Sequence, residues 1–116
     1  LLAKVMLTNN DMIYESILAV DTGASITMIS WEIALFLGKD PSSIKNKKKI
    51  TTGSGIEYCP EITIEKIKAF GKEVNNLLVL CHNLTEACKI NGLLGLNFLK
   101  HFDIRINFKE SYIELK

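Results

Sequence analysis

Residues 17–25 read Ile17-Leu18-Ala19-Val20-Asp21-Thr22-Gly23-Ala24-Ser25, a run of four apolar side chains that stops at a carboxylate. An apolar strand leading into a lone acid takes that acid out of water, and a buried charge is costly unless neighbouring groups compensate it. The next residues are suited to that task. Thr22 offers a hydroxyl, Gly23 lets the backbone turn closely beneath the carboxylate, and the amides that follow can donate to it. Asp-Thr-Gly by itself is also an ordinary turn, so the reading of Asp21 depends on its surroundings.

On the N-terminal side, Lys4 to Leu7 and Ile13 to Val20 are apolar-rich runs separated by Thr8-Asn9-Asn10-Asp11, a cluster of turn formers. They predict a β-hairpin whose second strand carries straight into Asp21. On the C-terminal side, Ser30 caps a short helix from Trp31 to Leu37, with Glu32 in its first turn and Gly38 placed to end it. Trp31 and Phe36 sit among Ile33, Leu35 and Leu37 and read as core. Asp40-Pro41-Ser42-Ser43 reads as a loop.

Ile44 to Ile50 contains Lys45, Lys47, Lys48 and Lys49. Such a run can steer an acidic ligand, but a solvated strand or loop is the expected reading. Gly53-Ser54-Gly55 tips a hairpin that continues through Ile56 to Pro60 into a strand from Glu61 to Phe70. After a turn at Gly71-Lys72, Val74 to Leu80 forms a buried apolar strand. Leu96, Phe98, Leu99 and Phe102 then recur at helical spacing. Asp103 to Phe108 and Tyr112 to Leu115 form a terminal hairpin about Lys109-Glu110-Ser111, with Asp103 a surface acid. The fold class is therefore mostly β, with two short helices.

At 116 residues the chain is long enough for one modest core and too short for two independent lobes. It reads as one domain, residues 1–116, excised from a longer protein, since Leu1-Leu2-Ala3-Lys4 shows neither an initiator Met nor a signal-peptide layout. A formal net charge of +1 gives no electrostatic case for nucleic acid or an acidic partner. No apolar run approaches the roughly 20 residues that span a bilayer. Cys59, Cys81 and Cys88 are odd in number and form no secreted disulfide framework, which points to reduced thiols and a cytoplasmic setting. Cys81-His82, Cys88 and His101 match no common zinc spacing, so neither a metal nor a cofactor is expected.

Two segments echo each other. Leu18-Ala19-Val20-Asp21-Thr22-Gly23 and Asn91-Gly92-Leu93-Leu94-Gly95 both place an apolar strand end before a glycine and then a short helix. One copy carries the acid and the other supports it. The order Asp21-Thr22-Gly23-Ala24-Ser25, glycine-tipped hairpin, Gly92-Leu93-Leu94-Gly95-Leu96-Asn97-Phe98-Leu99-Lys100 resembles the retropepsin family of aspartic peptidases (clan AA). The likeness spans nearly the whole chain. It looks closer to cellular members, the Ddi-type proteins and bacterial relatives, than to the viral enzymes.

The resemblance implies a closed barrel-like lobe with a flap hairpin, paired as a homodimer, and an endopeptidase in which two Asp21 carboxylates activate a water. Two carboxylates about 3 Å apart cannot both ionise, and one chain supplies only one of them. The implied catalytic residues are Asp21, Thr22 and Gly23, with Thr22 locking the two acid loops together. The implied substrate-binding residues are Ala24 beside the acid and Gly53, Ser54, Gly55, Ile56 and Tyr58 of the flap, which close on an extended peptide. Pro60, near the tip in this reading, stiffens or shortens that flap. Ala24 replaces the Ser or Thr hydroxyl of many bilobal relatives, whose hydrogen bond favours the ionised pair, so activity is expected at mildly acidic to near-neutral pH. Leu96 stands where viral members carry an Arg used in dimer contacts, so the partner must be held by other surfaces. A catalytically silent retropepsin-like module that dimerises or binds peptides is the alternative.

Overall fold

The computed structural model describes residues 1–53, 55–83 and 90–116. Strands β1 (Leu2–Asn9) and β2 (Met12–Val20) pair antiparallel from Leu2↔Ala19 to Asn9↔Met12. Asn10 and Asp11 between them both take positive φ, 50° and 63°, which suits the tight turns that follow the right-handed twist of a hairpin. Ala3, Val5 and Leu7 alternate inward along β1, as one buried face requires.

After the acid loop come β3 (Thr27–Ile29), α1 (Trp31–Phe36), β4 (Lys47–Thr52), β5 (Gly55–Ala69) and β6 (Lys72–Cys81). The chain ends with β7 (Gly92–Leu94), α2 (Leu96–Leu99), β8 (Ile104–Asn107) and β9 (Tyr112–Leu115). The strand order β1-β2-β7-β3-β6-β5 closes because β5 also pairs with β1, through Val5↔Ala69 to Thr8↔Lys66. The result is a closed six-stranded barrel, which leaves few open edges. β4 is added outside it, on the half of β5 that extends past the barrel.

The barrel is filled by Val5, Leu7, Leu18, Ile29, Ile64, Ile67, Val79 and Leu94, with Phe98 and Leu99 of α2 packed against them. Among the described residues Asn9 is buried with two other polar residues, Ser16 and Thr27. Its Nδ2 donates to Leu37 O at 3.1 Å and its Oδ1 accepts from Glu65 N at 3.2 Å, which ties the end of α1 to β5. β8 and β9 form a separate two-stranded sheet, closed by reciprocal backbone bonds between Asp103 and Lys116. Asp103 is exposed, as expected of a surface acid.

The helix begins as the sequence predicts, with Ser30 Oγ accepting from Ile33 N and Gly38 at φ 84° just past its end. Its faces divide differently from the expectation. Ile33, Ala34 and Leu37 are buried, whereas Phe36 is 46% exposed and meets only the edge of Tyr14. Trp31 is partly buried against the core. A helix of fewer than two turns buries one stripe, and the residues between stripe positions face outward. Asp40–Ser43 is more ordered than a loop, because Pro41–Ser43 form a 3-10 turn capped by the Asp40 carboxylate.

The hairpin of β4 and β5 corrects the reading of Pro60. The register runs from Lys47↔Pro60 to Thr52↔Gly55, so Pro60 lies at the base, far from the turn that follows Thr52. Pro60 is buried where the hairpin joins the barrel and does not stiffen a tip. Among the described residues no helix is long and apolar enough to cross a membrane.

Candidate active site

Asp21 sits where β2 ends, and the two echoing segments lie side by side there. β2 and β7 run parallel, with Ala19↔Leu93 and Val20↔Leu94 paired. The next amide in the ladder, Asp21 N, donates to Leu94 O at 3.0 Å. The chain then turns, with Ala24 N donating to Asp21 O at 3.2 Å. Inside that turn Gly23 N donates to Asp21 Oδ1 at 2.8 Å. A Cβ on residue 23 would stand 3.1 Å from the same oxygen, so glycine gives the carboxylate room to receive its amide.

The apolar strand does not bury the acid completely. Asp21 is half-buried, and Thr22 and Gly23 are exposed. The carboxylate therefore faces outward from a fixed backbone and remains accessible.

The supporting copy holds the acid loop from behind. Leu96 N donates to Ala24 O at 2.8 Å and Asn97 N to Ser25 O at 3.1 Å. Asn97 Oδ1 accepts from both the amide and the hydroxyl of Thr27, at 2.9 and 2.8 Å. Gly95 N donates to Thr27 Oγ1 at 3.0 Å, and Asn97 Nδ2 donates to Leu78 O. Thr27 is fully buried, so its bonds to Asn97 and Gly95 satisfy groups that water cannot reach. Two glycines allow the approach: a Cβ at Gly92 would stand 2.0 Å from Met28 O, and one at Gly95 would stand 2.8 Å from Ala24 O.

In front of the acid loop lies a cleft of about 300 Å³. Gly23–Ile26 form one wall and Lys48–Thr51 of β4 the other, with Met28 and Leu80 between them. Ala24 lines this cleft. The other expected substrate residues fall elsewhere. Ile56 and Tyr58 are 57% and 64% exposed and line a neighbouring cleft with Trp31 and His82. Gly53 and Gly55 flank the hairpin tip, and Ser54 lies outside the described residues.

In that neighbouring cleft His82 Nε2 lies 2.6 Å from Glu57 Oε2, joining the end of β6 to the hairpin. Burial pushes the Cys81 thiol up to about 11, with nearby Cys59 adding to the shift. Burial, followed by the charge of Glu57, also raises Cys59. Among the described residues no three His, Cys, Asp or Glu side chains converge as metal ligands, and Cys88 lies outside them.

Thr27 was not singled out by the sequence, and Asn97 and Lys48 entered only as members of the Gly92–Lys100 stretch and of the lysine run. Asn97 follows Gly95 at a helix start, but its partner is 70 positions away and only the folded barrel brings them together.

Comparison with known proteins agrees with this arrangement. The family model described as "gag-polyprotein putative aspartyl protease" matches residues 13–101. The crystal structure of a retropepsin-like aspartic protease from Rickettsia conorii superposes with a TM-score of 0.68 at 26% identity, covering 96% of this chain and 97% of that one. A search of curated protein sequences gives no match. With the family model spanning most of its length and the whole barrel shared, the chain belongs to the retropepsin-like aspartic protease family.

Proposed function

We propose that the chain is an aspartic endopeptidase, active as a homodimer in which Asp21 of each copy meets its symmetry mate. The observation that carries this reading is the placement of Asp21. It is fixed by Leu94 O and the Gly23 amide at the end of an apolar strand, yet it remains accessible beside a cleft bounded by a hairpin. A single carboxylate lacks a second group to share the proton work, and one chain carries one Asp-Thr-Gly.

In the dimer, one Asp21 is ionised and takes a proton from a water held between the pair. The other is protonated and donates to the oxygen of the scissile carbonyl as the water attacks. Collapse of the tetrahedral species breaks the C–N bond, the amine takes up a proton, and no covalent enzyme intermediate forms. Thr22, exposed at the edge of the acid loop, bonds across the two-fold axis to keep the carboxylates coplanar. The hairpin of β4 and β5 acts as the flap, closing over an extended peptide that lies as a strand against it.

The exposed apolar side chain of Leu96 supports a dimer held by packing rather than by a charged residue at that position. The terminal β8–β9 hairpin, with unpaired outer edges, is a second surface suited to a partner. The unpaired Cys59 and Cys81 suit a reducing compartment, the cytoplasm in this reading. Residues 1–116 are taken as one protease domain.

The test is wild type against Asp21→Asn on an unstructured protein, with oligomeric state followed by sedimentation. Cleavage by wild type alone, in a concentration range where dimer is populated, is the expected result. Equal cleavage by both, or activity from a strictly monomeric species, removes the reading.

A further inference from the structure

We propose that Lys48, on the inner face of the hairpin, forms a subsite that selects an acidic side chain in the bound peptide. The inference rests on the peptide-binding reading above and names the substrate class of that same cleft.

The four-lysine run looks solvated in sequence, but its members face different ways once the register is known. Residues directly opposite in an antiparallel pair share a face. Lys48 pairs with Cys59 and Ile50 with Glu57. Cys59 is buried, and Glu57 reaches down to His82, so this face is directed toward the body of the barrel. Lys49 pairs with exposed Tyr58 and Lys47 with buried Pro60 on the other face, from which Lys49 still borders the cleft. Lys47 does not line the cleft.

The cleft wall opposite Lys48 is Gly23–Ile26, which carries no charge. Among the described residues, Lys48 and Lys49 are the charged ones along this cleft, and no carboxylate lines it. Neither lysine has a carboxylate partner among the described residues, where the ion pairs are Lys4–Glu15, Lys66–Glu73 and His82–Glu57. Glu57, the acid on the same face as Lys48, is held at 2.6 Å by His82. That contact keeps this acid occupied and leaves the ammonium open to an incoming one. Its long stem can extend along the cleft while the charged end reaches the ligand.

Lys48 is exposed to solvent, so the selectivity is modest and sensitive to salt. The experiment uses short extended peptides that carry Glu, Gln or Lys at one position at a time. Cleavage is read with wild type, and equilibrium binding is read by fluorescence anisotropy with Asp21→Asn. At one position Glu is expected to exceed Gln by about three- to fivefold in both readouts, an advantage that shrinks at high salt. Lys48→Gln removes the preference and Lys48→Glu turns it toward Lys. Lys47→Glu makes the same change in net charge outside the cleft and retains the preference.

Equal handling of Glu and Gln at every position overturns the proposal, as does a preference that survives Lys48→Glu. If wild type cleaves without charge preference, the endopeptidase reading stands and this inference falls. If Asp21→Asn cleaves like wild type, the endopeptidase reading falls, and the binding measurements alone decide the role of Lys48.

Discussion

Asn97 Oδ1 accepts from both the backbone amide and the hydroxyl of Thr27, at 2.9 and 2.8 Å, so one side chain on α2 satisfies two donors of the strand that leaves the acid loop. Through Leu96 and Asn97 the same short helix also holds the carbonyls of Ala24 and Ser25. The position of Asp21 thus depends on residues about 70 positions away in sequence.

Removing that brace leaves buried polar groups unsatisfied. Asn97→Ala is expected to cost about 2–3 kcal/mol of stability, and Thr27→Val about 1–3 kcal/mol. The double variant should lose less than the sum, because both remove the bond from Thr27 Oγ1 to Asn97 Oδ1. Urea denaturation of the four proteins measures the coupling, and simple additivity would contradict the network.

Glycine substitutions separate folding from chemistry. Gly92→Ala puts a Cβ on the Met28 carbonyl and should abolish folded protein, a loss of more than about 4 kcal/mol. Gly23→Ala meets only Asp21 Oδ1 at 3.1 Å, so it should fold with a near-native circular dichroism spectrum and lose most of its activity.

The first hairpin, the Ser30 cap and both helices were legible in the sequence because each is set by neighbours a few positions apart. Strand β3 was not. Thr27–Ile29 is only three residues long and is a strand because β6 and β7 lie on either side of it. Closure of the barrel through Val5↔Ala69 is equally remote in sequence. The inward face of Lys48 and the basal place of Pro60 both follow from hairpin register, which a run of lysines without alternation cannot fix. Phe36 was misplaced because its apolar character carries no information about which stripe of so short a helix is buried. Asp21 stood out only through its surroundings, and its brace at Asn97, whose partner is 70 positions away, could not be read.

Cys81 gives a pH dependence with a definite sign. Its thiol is pushed up to about 11 in the folded chain, from 9.0 for an unperturbed group. Between those values the unfolded chain has lost the proton and the native chain retains it. Stability from this group is therefore fully present below pH 9.0 and falls as pH rises toward about 11. Cys81→Ser should flatten that part of the stability profile, as measured by urea midpoints across alkaline pH. An unchanged slope would contradict the assignment.

Thr22→Val tests the link across the dimer axis. Losing two symmetry-related hydrogen bonds, each worth about 0.5–1.5 kcal/mol, should weaken dimerisation by about tenfold or more, since Thr22 is exposed in a single chain. Sedimentation equilibrium measures this directly, and an unchanged dimer constant would remove Thr22 from the interface.

The central claim is that two copies of Asp21 make one site, and subunit mixing tests it most directly. Wild type and Asp21→Asn are exchanged at fixed total concentration and peptidase activity is read against the wild-type fraction. The account predicts a fall with the square of that fraction, so an equimolar mixture keeps about a quarter of the activity, because mixed dimers carry one carboxylate. A linear fall, with about half retained, would show that each chain acts alone and would contradict it.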